Sequence, residues 1–343
     1  MELSPRKKAV LSAIVKNYIE TGEPVGSKIL TELIENAPSS ATLRNEMSEL
    51  CSLGFLEQPH TSAGRVPTSR GLRLYVNSLM NPVKLSESAK RFIDEGIADI
   101  NCDPEQIPAK VGRIISDLTG LPAISCIITE EEITVKRIEL LPIGLRSMML
   151  LIITSDGRAR NRIFRTSVQL NDSVLDNFND ICKRKIKGKA VTELNKPYMQ
   201  NVIAAAGIDS LTLLPLLTAV FEMAGEIENS SVNLSGETCL YNISADEESA
   251  RKIISLIKRR DPIISLMNSI PDNAGVVFGS DTKLEELSSG TIVAARFGAK
   301  SIKGTLAVIG PHRISYEEVI PIVEYAASRL TTIMGEALKD MED

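Results

Sequence analysis

A chain of 343 residues, 43% hydrophobic and 24% charged, is long enough for two or three domains and apolar enough to bury a core in each, which excludes a disordered tail. Its net charge of −5 excludes a surface that attracts nucleic acid everywhere. Residues 1–80 carry 9 Lys/Arg and 8 Asp/Glu, leaving 30 and 36 for the remainder, so any DNA contact must come from a local cluster.

In chain order, the start Met1-Glu2-Leu3-Ser4-Pro5-Arg6 is polar and shows no secretory run, and the most apolar windows, 148–153 and 211–221, fall short of the roughly 20 residues of a membrane helix. A soluble, cytoplasmic protein without a membrane partner is expected. Ser4 can cap a helix that Pro5 begins without losing a hydrogen bond, and Leu11, Ile14, Val15, Tyr18 and Ile19 form one stripe at helical spacing. Thr21-Gly22-Glu23-Pro24 stops it. A second helix is expected over 27–36 with Ile29, Leu30, Leu33 and Ile34 inward. A third is expected over 41–53, capped by Ser39 or Ser40, with Leu43, Met47 and Leu50 inward and Thr42, Arg44, Asn45 and Ser48 outward. Residues 54–58 then read as a strand after a glycine stop, 60–65 as a polar loop and 66–68 as a short returning strand, together a β-hairpin. Three short helices and a hairpin make a winged helix-turn-helix.

Such a unit has a mechanism for DNA. The third helix fits the major groove, where Arg44 and Asn45 can offer donors to base edges. Ser39, Ser40 and Thr42 at its N-terminus can hold phosphate. From His60 to Met80 there are Arg65, Arg70 and Arg73 and no acidic residue, so an Arg-bearing hairpin can reach backbone or minor groove. The same fold also serves as a protein-docking module.

Beyond residue 80 the pattern is α+β. Helices are expected over 86–100 and 108–119, and strands over 123–129, 133–141, 147–154 and 159–165. Helices dominate 171–228 and return at 250–259. Strands follow over 274–278, 291–296 and 304–309, and a last helix starts at Ser315 with a capping box to Glu318. Early strands, a helical interval and late strands suggest one α+β domain interrupted by an insertion. The interval holds Leu211, Leu213, Leu214, Leu216, Leu217, Val220, Phe221 and Met223, an apolar surplus that suggests either an interface between two copies or an ordinary helical core.

Three stretches resemble the HrcA family of heat-inducible repressors: Tyr18-Ile19-Glu20-Thr21-Gly22-Glu23-Pro24-Val25-Gly26-Ser27, Ala41-Thr42-Leu43-Arg44-Asn45-Glu46-Met47, and 56–68 with its Pro59-His60-Thr61-Ser62-Ala63-Gly64-Arg65 core. Residues 304–313, with Tyr316 and Val319-Ile320-Pro321, are similar to the family's C-terminal segment, whereas 165–245 matches only in general character. Leu72 stands where the family more often has Tyr, which reads as a packing position. The resemblance implies a winged helix over 1–80, a GAF-like α+β domain over 81–165 and 246–343, and an inserted, mainly helical dimerising segment over 166–245. It implies a homodimer on an inverted-repeat operator of chaperonin and DnaK operons, release on heat stress, and the GroEL chaperonin as modulator. DNA contacts carried over by position are Ser40, Thr42, Arg44 and Asn45 on the helix and His60, Thr61, Ser62 and Arg65 on the wing. The alternative is a one-component regulator whose GAF-like domain senses a small ligand.

Enzyme chemistry finds little foothold. Five widely spaced cysteines with no CxxC, and only His60 and His312, suggest no disulfide framework, zinc knuckle or multi-histidine metal site. Gly304 to Gly310 lacks the Walker spacing, and Glu285-Glu286 and Glu317-Glu318 are adjacent, not opposed as an acid/base pair. No catalytic residue, cofactor or metal is expected. The basic run 183–189 reads as a solvated loop or a phosphate contact.

Overall fold

The computed structural model describes residues 3–340 except 61–62, 82, 99–105, 130–131, 167–170, 208–209, 228–229, 241–246, 271–274 and 300–301. Three helices open the chain, α1 (Pro5–Thr21), α2 (Ser27–Leu33) and α3 (Ser40–Ser52). Ser4 caps α1 by accepting from the Lys7 N–H, and Gly22, at φ 74°, ends it by donating to the Tyr18 carbonyl. Two short strands, β1 (Leu56–Glu57) and β2 (Val66–Pro67), pair antiparallel as the wing. Helix α4 (Ser69–Leu74), continued by a π-turn (Tyr75–Leu79), leads to the body. Leu11, Ile14, Val15, Leu30, Leu43, Met47, Leu50, Leu56 and Leu72 share one core, and Leu72 is buried there as expected of a packing position.

Helix α2 is shorter than expected. It stops at Leu33 because Ile34 turns to extended backbone, and of its three apolar residues only Leu30 is buried; Ile29 and Leu33 face out, and Ile34 beyond the helix is half-buried.

The body is α+β. After α5 (Glu87–Ala98) and α6 (Ile107–Thr119), strand β3 (Ala123–Thr129) enters a five-stranded antiparallel sheet with β7 (Ser230–Ser235), β8 (Gly275–Phe278), β9 (Gly290–Ala299) and β10 (Ile302–Pro311), in the order β7-β3-β10-β9-β8. The last helix, α12 (Tyr316–Asp340), packs on this sheet and on α5 and α6 through Val319, Val323, Ala326, Ala327, Leu330 and Met334. Helices α10 (Glu247–Ile257) and α11 (Arg260–Ser269) share a second core with Ile124, Ile292, Ala307 and Ile309.

Strands β4 (Val135–Pro142), β5 (Ser147–Thr154) and β6 (Ala159–Arg165), assigned above to the main sheet's domain, form a sheet of their own. Its inner face, Leu140, Met148, Leu150 and Ile152, closes a third core with α7 (Asp172–Ile181), α8 (Lys196–Ala204) and α9 (Ser210–Gly225). Conversely, 230–235, assigned above to the inserted segment, is the edge strand beside β3. The alternation in the sequence found the strands but could not say which sheet each joins, because partner choice is set by which face finds a core. Of the eight apolar residues over 211–223, six are buried inside this third core and only Leu211 and Leu214 stay exposed, so most of the surplus is ordinary core.

Candidate nucleic-acid interface

Helix α3 is held from beneath and at both ends. Leu43, Met47 and Leu50 lock it into the core. Ser39 caps it, its Oγ accepting from the Thr42 N–H at 3.2 Å and lying 3.0 Å from the Thr42 hydroxyl. The Ser40 hydroxyl lies 2.8 Å from that of Ser27, tying the first residue of α3 to the first of α2. Lys7 reaches Glu46 at 3.3 Å and Glu49 at 2.8 Å, so α1 braces one flank, and hydrogen bonds to the two carboxylates raise the ammonium pKa. Arg70 donates to the Leu53 carbonyl at 3.0 Å and stacks 4.7 Å from the Phe55 ring, closing the C-terminal end.

On α3 Ala41, Arg44, Asn45, Ser48 and Ser52 are exposed, as is Glu49 beside Lys7, whereas Thr42, expected outward, is half-buried. Arg44 and Asn45 make no side-chain hydrogen bond among the described residues, so their donors are available on a helix whose position is fixed by everything else. That combination suits base reading, where the helix must not move and the side chains must be free.

The wing is set by backbone. Val25, between α1 and α2, exchanges two 2.9 Å hydrogen bonds with Arg65, adding a bridge beside β2. The chains approach so closely that a Cβ on Gly64 would stand 2.5 Å from the Val25 carbonyl carbon and oxygen, so only glycine fits. Gln58 Nε2 donates to the Ala63 carbonyl at 3.1 Å across the hairpin. His60 is exposed at the turn; Thr61 and Ser62 lie outside the described residues. Arg65 sits at the root of the returning strand, half-buried, with its Nε buried and without a hydrogen-bond partner.

The basic cluster seen in the sequence therefore divides. Arg70 caps α3, and Arg73 pairs with Asp281 and lies 5.7 Å from the Phe278 ring centroid, so both arginines serve the protein's own packing. Sequence spacing could not reveal this, because the Arg73 partner lies 208 residues away. His312 is likewise structural: it is half-buried, its Nδ1 lies 2.8 Å from Thr291 Oγ1, and its carbonyl accepts from the Tyr316 hydroxyl. Burial lowers its pKa. Among the described residues, no group of three or more His, Cys, Asp or Glu could hold a metal ion, and no helix is long and apolar enough to cross a membrane.

A helix-turn-helix with a paired wing, its outward helix face polar and unencumbered, defines a winged-helix DNA-binding protein. Two family models match the chain: a "winged helix-turn-helix transcription repressor, HrcA DNA-binding" domain over 2–79 and an "HrcA protein C terminal domain" over 105–320. The chain is 31% identical to the heat-inducible transcription repressor HrcA of Clostridioides difficile over 95% of its own length and 98% of the relative's. It is 31% identical to that of Caulobacter vibrioides over 97% and 95%. A crystal structure described only as that of a hypothetical protein matches with a TM-score of 0.68 at 23% identity, over 98% of this chain and all of the other, and shows the same fold. The chain belongs to the HrcA family of heat-inducible transcription repressors. It is a DNA-binding repressor and not an enzyme.

Proposed function

We propose that this repressor acts as a cytoplasmic homodimer that places two α3 helices in the half-sites of an inverted-repeat operator upstream of chaperonin and DnaK operons, and leaves it on heat stress. The observation that carries this reading is the pair Arg44 and Asn45, exposed and unpaired on a helix braced by Ser27, Lys7 and Arg70. Arg44 and Asn45 read base edges; Thr42 and the N-terminus of α3 face phosphate, with Ser40 setting the helix against α2. His60, Thr61, Ser62 and Arg65 make the wing's contacts, the half-buried Arg65 from its root. Chaperonin assistance, of the GroEL kind, fits a chain with three separate cores, where partial unfolding exposes apolar surface.

The units we assign are a winged helix over 1–80, a GAF-like α+β domain, and an inserted unit that carries the dimer interface. The cores favour an insert from about 133 to 227, and the outward face of its sheet, with Ile163 and Leu141 exposed and Leu145 exposed in the adjoining β4–β5 turn, supports the contact between copies.

Footprinting of the purified chain on DNA upstream of chaperonin genes tests the reading. The expected result is protection of an inverted repeat. Arg44→Ala or Asn45→Ala should each cost about 1–3 kcal/mol against the specific site and much less against random DNA. Equal affinity of both variants for the operator would overturn the assignment of α3 as the reading helix.

A further inference from the structure

Residues 1–80 carry 9 Lys/Arg, and most of these cations are spent inside the protein. Arg6 stands 3.8 Å from Glu46, Lys7 bridges Glu46 and Glu49, and Lys16 reaches Glu317. Lys8 has an interaction partner as well, Arg70 closes the end of α3, and Arg73 pairs with Asp281. The side chains of Lys28, Arg44 and Arg65 have no partner among the described residues. They fall one each on α2, on α3 and at the root of the wing.

Arg44 and Arg65 already have places in the operator-binding reading; Lys28 has none. It is the second residue of α2 and is exposed, and Glu32 one turn on does not pair with it. Lysine before glutamate is the weaker order for a helical pair at that spacing. Its place in the fold is fixed by two hydrogen bonds. The hydroxyls of Ser27 and Ser40, 2.8 Å apart, join the first residues of α2 and α3, so Lys28 follows directly on that junction. Thr31 Oγ1 donates to the Lys28 carbonyl at 2.6 Å and closes the first turn of α2. On the other side of the junction the start of α3 is open to an anion. Ser39 takes the Thr42 N–H, but the Ala41 N–H meets no acceptor among the described residues, and the first turn holds no acidic side chain.

An exposed lysine is ordinarily just solvated. What sets this one apart is that it is left unpaired in a head that pairs most of its cations, at the junction of the two helices that dock on DNA. When a helix-turn-helix docks, its second helix enters the major groove while the first crosses the DNA backbone. We propose that Lys28 is a DNA-phosphate contact, holding the backbone beside the N-terminal end of α3 and so setting the register of that helix in the groove. The proposal rests on α3 as the reading helix. An ammonium group suits a phosphate as a point charge and carries no information about the base. Lys28 therefore positions, while Arg44 and Asn45 select the sequence.

Fluorescence anisotropy of the full chain tests this on two duplexes, the footprinted operator and a random sequence of equal length, each over a series of salt concentrations. Lys28→Gln should weaken both by the same factor, roughly five- to tenfold for each lysine engaged at about 0.1 M salt. The slope of log affinity against log salt should fall by about 0.9 for each lysine engaged. Lys28→Arg keeps the charge and should restore both quantities. Lys110→Gln removes an exposed lysine of α6, in the body, and should match the parent; melting of each variant without DNA checks the fold. A parental salt slope in Lys28→Gln would overturn the proposal, whether or not affinity falls, and so would a loss confined to the operator. Arg44→Ala on the same duplexes separates the two levels. If it loses the operator alone while Lys28→Gln keeps the parental slope, only the phosphate contact is refuted. If Arg44→Ala also binds the operator like the parent, α3 is not the reading helix and both readings fall.

Discussion

The phenol of Tyr75 donates a 2.6 Å hydrogen bond to Glu317 Oε1, joining the π-turn that leaves the winged helix to the first turn of α12. Lys16 of α1 stands 3.5 Å from the same carboxylate, and Arg73 pairs nearby with Asp281, so polar contacts seat the reading head on two carboxylates of the body, Glu317 and Asp281. Tyr75 is 1% exposed, and burial together with Glu317 raises its pKa well above the usual phenol value. Tyr75→Phe keeps the ring and removes the donor. It should lower stability to urea by about 1.5–3 kcal/mol, the range for a hydrogen bond to a charged group. Proteolysis in the 79–87 connection should speed up in parallel. Unchanged stability would show that the head is seated by apolar packing alone.

Gly64 gives a test of the wing that leaves α3 alone. An alanine Cβ there has no room against the Val25 backbone, so the Val25–Arg65 bridge must open. The core residues Leu43, Met47 and Leu50 lie elsewhere and should keep the helix in place. Gly64→Ala is therefore expected to weaken operator binding about tenfold or more while shifting the melting temperature by only a few degrees, the signature of a displaced loop. A variant with full affinity would remove the wing from the contact surface.

His312 ties stability to pH. Burial holds its folded pKa below the usual histidine value, so between the two values the unfolded chain binds a proton that the folded chain does not. Its contribution is therefore complete above pH of about 6.5 and is lost as pH falls below it. Urea midpoints measured from pH 7.5 to 5.5 should decline, and His312→Gln should flatten that decline. A parallel decline in the variant would assign the effect to other groups.

The reading head was legible because its signals are local. Ser4-Pro5, Gly22 and Ser39 act within one helical turn, and the Leu43, Met47, Leu50 spacing is the helical period itself. What the sequence concealed was long-range. Arg70 and Arg73 look like DNA-binding cations until the Leu53 carbonyl and Asp281 are placed beside them. The split of strands between two sheets was hidden for the same reason: β3 and β10 pair across roughly 180 residues, and alternation along a strand carries no record of its neighbour. The Ser27–Ser40 contact falls between the two cases, since both serines could be read as caps but not as partners of each other.

The outer face of the three-stranded sheet carries the last prediction. The register sets Leu141 opposite Met149 and Met149 opposite Ile163, one apolar row across all three strands. Met148, Leu150 and Ile152 point the other way into the core, so the row faces outward, and Ile163 is 64% exposed. Leu145, 82% exposed in the β4–β5 turn, extends it. Water is a poor neighbour for such a row, and a second copy presenting the same face would cover it by two-fold symmetry. Ile163→Asp should leave the monomer folded, because the inner face is untouched, yet shift sedimentation equilibrium from dimer to monomer. It should also separate two binding modes. Affinity for a single half-site stays as it was, while affinity for the full inverted repeat falls by on the order of 10²–10⁴, the advantage of two linked readers. A variant that remains dimeric with full operator affinity would place the contact between copies on another surface.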